Sequence, residues 1–89
     1  MVVYIPPEVT LTVDNTTIVL GESTVLRWST SGDASTMTIN PVPGITNLSS
    51  FYTITPTVDT VYTATANGPG GTDSDQITVT VLQPPTVSI

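Results

Sequence analysis

The sequence contains no cysteine and no histidine. These absences exclude disulfide bonds, thiolate and imidazole metal sites, and every catalytic pair in which histidine activates serine or cysteine. Lysine is also absent, and Arg27 is the only cation beside seven acidic residues, which gives a net charge of -6. A chain with one cation cannot neutralise a row of phosphates, so binding to nucleic acid or to an anionic membrane surface is excluded.

Long apolar runs and charged residues are scarce as well. No apolar run approaches the ~20 residues that span a bilayer, and the first residues lack the basic region of a secretory signal. Charged residues make up 9% of the chain, against roughly 25% in a typical domain. With 89 residues, the chain can build one small core, so we expect a single domain.

The residue types that are abundant in place of charged ones favour strands. The chain has 19 threonines, 12 valines and 7 isoleucines, but only 3 alanines. Branching at Cβ restricts side-chain rotamers in a helix and suits the pleated surface of a sheet. The composition therefore predicts an all-β protein.

Turn signals every 8–12 residues divide the chain into segments of alternating polar and apolar residues, which is the pattern of short strands. The clearest turn is the glycine-rich segment at residues 67–71. The expected strands cover residues 9–13, 18–20, 24–29, 36–40, 51–55, 61–66 and 76–82, with a further short edge strand at 45–48. This spacing predicts an antiparallel β-sandwich of about seven strands in two sheets, with a small barrel as the alternative.

The alternation also predicts the core. Trp28 faces inward with Leu26, and the small residues Ala64 and Ala66 leave room opposite the indole ring. The expected core consists of Leu11, Leu26, Trp28, Ile39, Ile54, Tyr62, Ala64, Ile77 and Val79.

Three segments resemble prokaryotic and phage immunoglobulin-like domains. Residues 21–29, GESTVLRWS, resemble the second strand, in which a Gly-Glu-Ser turn precedes an alternating Leu-x-Trp. Residues 59–64, DTVYTA, resemble the sixth strand; Ala64 and Trp28 hold the places of the two antibody cysteines. Residues 66–72 resemble the last hairpin. The resemblance covers residues 6–83 and implies an immunoglobulin-like sandwich, with the Tyr62 hydroxyl bonded to the backbone of residues 56–59.

The two ends of the chain carry the same pattern. Residues 6–11, PPEVTL, and residues 84–89, PPTVSI, both read Pro-Pro-x-Val-hydroxyl-aliphatic, 78 positions apart. That offset is about the length of one immunoglobulin-like module, so we expect a domain at 6–83, followed at 84–89 by a linker and the start of another repeat. The alternative is that prolines merely punctuate both ends of one domain.

Candidate binding residues are few. Asp73 and Asp75, with Asp33 elsewhere, are possible oxygen ligands for calcium, although no known calcium-loop pattern is present. Phe51 and Tyr4 are candidates for a platform that stacks on sugar rings. The remaining acids lie on separate turns and do not indicate a paired-carboxylate hydrolase.

These observations favour a structural role without cofactor or metal. The expected function is a non-catalytic display module of a multidomain cell-surface or virion protein, such as a phage capsid, tail or fibre protein. Its expected partners are neighbouring repeats. The alternative is a weak adhesion module that binds surface glycans or a host receptor through the loops at 31–35, 41–48 and 67–74.

Overall fold

The described part of the chain forms seven strands in two sheets. The computed structural model describes residues 3–45 and 47–85. Strands β1, β3 and β5 form one sheet in that order, and β2, β7, β6 and β4 form the other. The strands are β1 (Glu8–Val13), β2 (Thr17–Val19), β3 (Thr24–Ser31), β4 (Thr36–Asn40), β5 (Ser50–Ile54), β6 (Thr60–Gly68) and β7 (Gly71–Leu82). The predicted fold class, an all-β sandwich of seven strands in two sheets, is confirmed.

No segment of the described residues forms a helix that could cross a membrane. Strand formation follows the alternation of the sequence instead. In β3, Thr24, Leu26 and Trp28 are buried while Arg27 and Ser29 are exposed. Because side chains of a strand point alternately to its two faces, this segment can bury one face only as a strand.

The expectation of a wholly antiparallel sandwich is wrong at one pair. Strand β2 pairs with β7 in parallel, with Ile18 opposite Val81. Residues 14–16 do not reverse the chain; they carry it across to the second sheet in the direction of β1. Since β7 runs the same way, the pairing is parallel.

The expected edge strand at 45–48 is not formed by the described residues of that stretch. Ile45 and Leu48 pack partly buried against the core. Side chains of β3 hold this connection in place: the Trp28 indole N–H donates to the Asn47 carbonyl (2.9 Å), and the Thr30 hydroxyl donates to the Leu48 carbonyl (2.9 Å). The backbone there bonds to side chains and does not extend a sheet.

The last strand begins earlier than expected. It starts at Gly71, five residues before the predicted start at Gln76, because Gly68 pairs directly with Gly71 across a tight hairpin. Most of the segment 67–74 is therefore strand, and it is not a long loop available for binding.

The core lies between the sheets. Leu26, Trp28, Tyr62 and Ala64 are buried in it, as are Leu11, Ile39, Ile54 and Val79. Ile77 is only partly buried and packs against this cluster. The core also contains apolar residues that are not in the predicted set: Val9, Ile18, Met37, Val81, and Ala66, which was expected opposite the indole ring.

After β7 the chain leaves the sandwich. Pro84 and Pro85 are exposed and have no regular structure. Gln83 is tied back by its side-chain amide, which donates to the Thr57 carbonyl (3.2 Å). The predicted start of a second repeat at 86–89 lies outside the described residues.

The buried indole sets a first prediction. Truncating a buried Trp to Ala costs about 3–5 kcal/mol, and a small domain holds in total only about 5 kcal/mol. We expect Trp28→Ala to be largely unfolded in urea titrations followed by circular dichroism, and Trp28→Phe, which keeps an aromatic ring, to remain folded. A red-shifted, freely quenched Trp fluorescence in the unmodified protein would contradict the buried position.

Candidate functional site

The carboxylates of the two calcium candidates accept hydrogen bonds from the protein's own backbone. Asp73 and Asp75 are partly buried on the inward face of β7. The backbone N–H of Val9 donates to Asp73 Oδ2 (2.9 Å), and that of Leu11 donates to Asp75 Oδ2 (2.8 Å). Both carboxylates therefore bind β1, a strand of the opposite sheet.

The geometry of β1 explains these bonds. Strand β1 lies at the edge of its sheet, with β3 on one side. In an antiparallel pair successive N–H groups point alternately toward and away from the partner strand. Val9 and Leu11 are two residues apart, so both N–H groups point to the free edge. Asp73 and Asp75, also two residues apart, supply acceptors where no strand is present. We call this pair of bonds the edge clamp.

The third calcium candidate does not join this pair. The second oxygen of Asp75 accepts the Gln76 N–H (3.0 Å), and Asp33 instead binds the N–H of Ile5 (2.6 Å). Among residues 3–45 and 47–85, no three acidic side chains are grouped closely enough to hold a metal ion. The three predicted calcium ligands therefore do not converge.

A third carboxylate acts in the same way at the other end of β7. The N–H of Val81 donates to Asp59 Oδ1 (2.7 Å), at the residue before β6 begins. Beside it, the Thr60 hydroxyl donates to the Val58 carbonyl (2.8 Å). These two side chains close the corner that leads into β6.

The expected tyrosine corner is absent from the described residues: no bond joins the Tyr62 hydroxyl to the backbone of residues 56–59. Burial raises the pKa of Tyr62, and the neighbouring Thr60 hydroxyl opposes that rise. The corner is held by the shorter side chains of Asp59 and Thr60, which leaves Tyr62 as a packing residue of the core.

The single cation forms a surface pair. Arg27 Nε and Nη2 donate to the two carboxylate oxygens of Asp14 (2.9 and 3.1 Å). The bonded guanidinium lowers the pKa of Asp14, and the carboxylate raises the pKa of Arg27. Arg27 also lies over the ring of Phe51, 5.8 Å from its centroid. Both charged groups are well exposed, so the pair contributes little to stability.

The proposed aromatic platform is not assembled. Phe51 is 64% exposed on β5, opposite Arg27. Tyr4 lies instead beside the hairpin at Gly70, next to the beginning of the sandwich. The two rings lie on different parts of the surface and do not form one stacking face.

A groove of about 390 Å³ runs between β5 and the connection that follows β4. Its walls include Tyr52, Tyr62 and three prolines, with aliphatic and threonine side chains between them. No carboxylate or amine is among the residues that line this groove.

One signal in the sequence could have revealed the edge clamp. Residues 73, 75, 77, 79 and 81 share one face of a strand, so the aspartates lie on the same inward face as Ile77, Val79 and Val81. Because a carboxylate on an inner face must find donors, the pattern indicates hydrogen bonds to a neighbouring strand. The identity of the donors, 64 residues away in the sequence, could not be obtained from it.

The edge clamp gives a second prediction. Asp73→Ala leaves the Val9 N–H without its acceptor, which costs about 1–3 kcal/mol. Hydrogen exchange of that amide should accelerate, and urea unfolding should shift to lower concentration. Asp73→Asn keeps an acceptor oxygen and should lose less. Glu8→Ala is the control, because it removes one negative charge from an exposed position of β1. A loss of unfolding free energy in this variant equal to that in Asp73→Ala would show that the charge matters and not the hydrogen bond.

The corner gives a third prediction. Asp59→Ala leaves the partly buried Val81 N–H unpaired, so we expect a loss of about 1–3 kcal/mol in unfolding free energy. Tyr62→Phe keeps the packed ring and should stay within about 0.5 kcal/mol of the unmodified protein. The reverse ranking, with Tyr62→Phe the more damaging, would restore the tyrosine corner.

Comparisons with known proteins identify no relative. No family model, no curated protein and no solved structure matches the chain. The fold and the side-chain contacts are therefore the basis on which a function can be argued.

Proposed function

We propose that the chain is a non-catalytic structural module, an immunoglobulin-like bead of a multidomain cell-surface or virion protein that spaces or displays other parts of that protein. Phage capsid, tail and fibre proteins are the virion settings that the sequence resemblance favours. Its partners in this role are neighbouring repeats of the same kind, and its location is extracellular, at the cell surface or on a virion.

The use of the acidic residues supports this role most directly. Five of the seven carboxylates accept backbone N–H groups: those of Glu22, Asp33, Asp59, Asp73 and Asp75. A sixth, Asp14, pairs with Arg27. Acidic side chains that accept backbone N–H groups hold the fold together, which is the use expected of them in a structural module.

The path of the chain supports the same role. Strand β1 begins beside Ser31, and β7 begins at Gly71 and ends at Leu82. A strand of that length spans roughly 36 Å, so the chain enters at one end of the sandwich and leaves at the other. Modules built in this way can follow one another along a line.

One observation favours the alternative, a weak adhesion module. Phe51 is a large exposed ring on a face rich in hydroxyl groups, beside the guanidinium of Arg27. Aromatic faces of this kind can stack on sugars. The predicted loops at 31–35, 41–48 and 67–74 contain no aromatic residue, so adhesion would use the sheet face and not the loops.

The fourth prediction separates the two functions. We expect the fluorescently labelled chain to bind no glycan above background on a glycan array, and an antibody against it to label intact cells or virions of its source without lysis. Phe51→Ser is the matched variant for the array. Glycan binding that disappears in this variant would replace the structural role with adhesion, and labelling that requires lysis would contradict the surface location.

A further inference from the structure

The residues before β1 are held in a narrow slot. Residues 4–6 lie between the turn at 31–33 and the turn at 69–71, a gap that we call the entry slot. The Ile5 N–H donates to Asp33 Oδ2 (2.6 Å), and the Asp33 N–H donates back to the Ile5 carbonyl (2.9 Å). Two bonds in opposite directions fix both the position and the direction of this segment.

Glycine forms both walls of the entry slot. Gly32 has a φ of +75°, and a Cβ there would collide with the Pro6 carbonyl oxygen. A Cβ on Gly70 would lie 3.2 Å from both the Pro6 nitrogen and the Tyr4 Cβ. The backbone of residues 4–6 therefore approaches both turns more closely than side chains at these positions would allow.

The repeated sequence pattern identifies a second occupant for this slot. Shifting residues 6–11 by 78 positions gives residues 84–89, and the same shift takes Tyr4 to Leu82 and Ile5 to Gln83. The entry slot holds Ile5 through its backbone N–H and C=O alone. A glutamine can replace isoleucine at that position because neither bond involves the side chain.

Residues 82–85 are available for this role. The ladder of β7 ends at Leu82, whose carbonyl accepts from the Leu20 N–H (2.9 Å). Leu82 is 50% exposed, and Pro84 and Pro85 are exposed after it. Gln83 binds its own module through the side-chain amide, which leaves its backbone groups for the next one.

We propose that residues 82–84 of one module occupy the entry slot of a second copy of the chain that follows it in tandem, in the place of residues 4–6, with Asp33 of that second copy binding the backbone of Gln83. This inference rests on the proposed function. Gln83 is then held from both sides, by Thr57 of its own module and by Asp33 of the next. The junction contains no free linker residue, so consecutive modules form a stiff rod with a fixed angle.

The test uses two copies joined so that Gln83 of the first is followed by Pro6 of the second. In this two-copy protein the Gln83 amide should exchange at least tenfold more slowly than in the single chain, as expected for a bond to a charged acceptor. Residual dipolar couplings measured by NMR should give one alignment tensor that fits both modules.

Asp33→Ala offers a matched pair of variants. Placed in the second copy, it removes the acceptor at the junction, so Gln83 exchange should return to the single-chain rate and the two tensors should separate. Placed in the first copy, the same substitution alters only the slot at the free end and should leave the junction unchanged. Asp33→Asn in the second copy keeps an acceptor oxygen and should retain most of the protection.

Fast Gln83 exchange and independent tensors in the unsubstituted two-copy protein would overturn the proposed docking, while two folded, flexibly joined modules would still agree with a structural bead. Equal effects of the first-copy and second-copy substitutions would also overturn it. The proposed function is tested by separate experiments, the glycan array and the labelling of intact cells or virions, so its failure can be distinguished from failure of the docking.

Discussion

The edge of β1 is the constraint on which the sandwich depends. Strand β1 ends at Val13, and the chain then crosses to the other sheet, where it forms β2. The free edge of β1 would otherwise present unpaired N–H groups, which cost stability when they are partly buried and invite pairing with other chains. Carboxylates of β7 occupy this edge through the edge clamp, so that side chains join the two sheets where a continuous ladder is impossible.

The same solution recurs around the molecule, and it explains the acidic composition. The Asp33 carboxylate accepts a backbone N–H from the segment before β1, and the Asp59 carboxylate accepts one near the end of β7. The Glu22 carboxylate accepts the N–H of Val19 (2.8 Å). A chain without cysteine cannot join its strands covalently. It uses charge-assisted hydrogen bonds, which are stronger than neutral ones, around a core centred on Trp28. The net charge of -6 thus results largely from carboxylates that serve as acceptors for backbone N–H groups.

Such an arrangement suits a module that is held at both ends. The structure has its most closely packed glycine turns at the entry end and its exposed prolines at the exit. These features of the two ends support the structural role that we propose.

Much of this architecture could be predicted because it is local. Alternation with a period of two placed Leu26 and Trp28 inward and Arg27 outward, and glycine and proline placed most of the turns; these properties depend on residues adjacent in the sequence. The prediction of strand bounds was wrong where acidic residues interrupt the apolar pattern: Asp73 and Asp75 precede the predicted start of the last strand at Gln76, but both lie in β7.

The all-β class, seven of the expected strands and the residues at the centre of the core could be predicted from the sequence alone, because side-chain alternation and β-branching act within a single strand; the further strand expected at 45–48 is not formed by the described residues. The tertiary structure was needed to show that β2 joins β7 in parallel, that Asp73 and Asp75 bind Val9 and Leu11, and that the Thr60 hydroxyl, in place of the Tyr62 hydroxyl, bonds to the backbone of residues 56–59. The first two of these outcomes depend on which distant segments meet across the sandwich. The alternation around Asp73 and Asp75 indicates that their carboxylates need donors, but nothing in the sequence identifies the N–H groups of Val9 and Leu11, 64 positions away, as those donors.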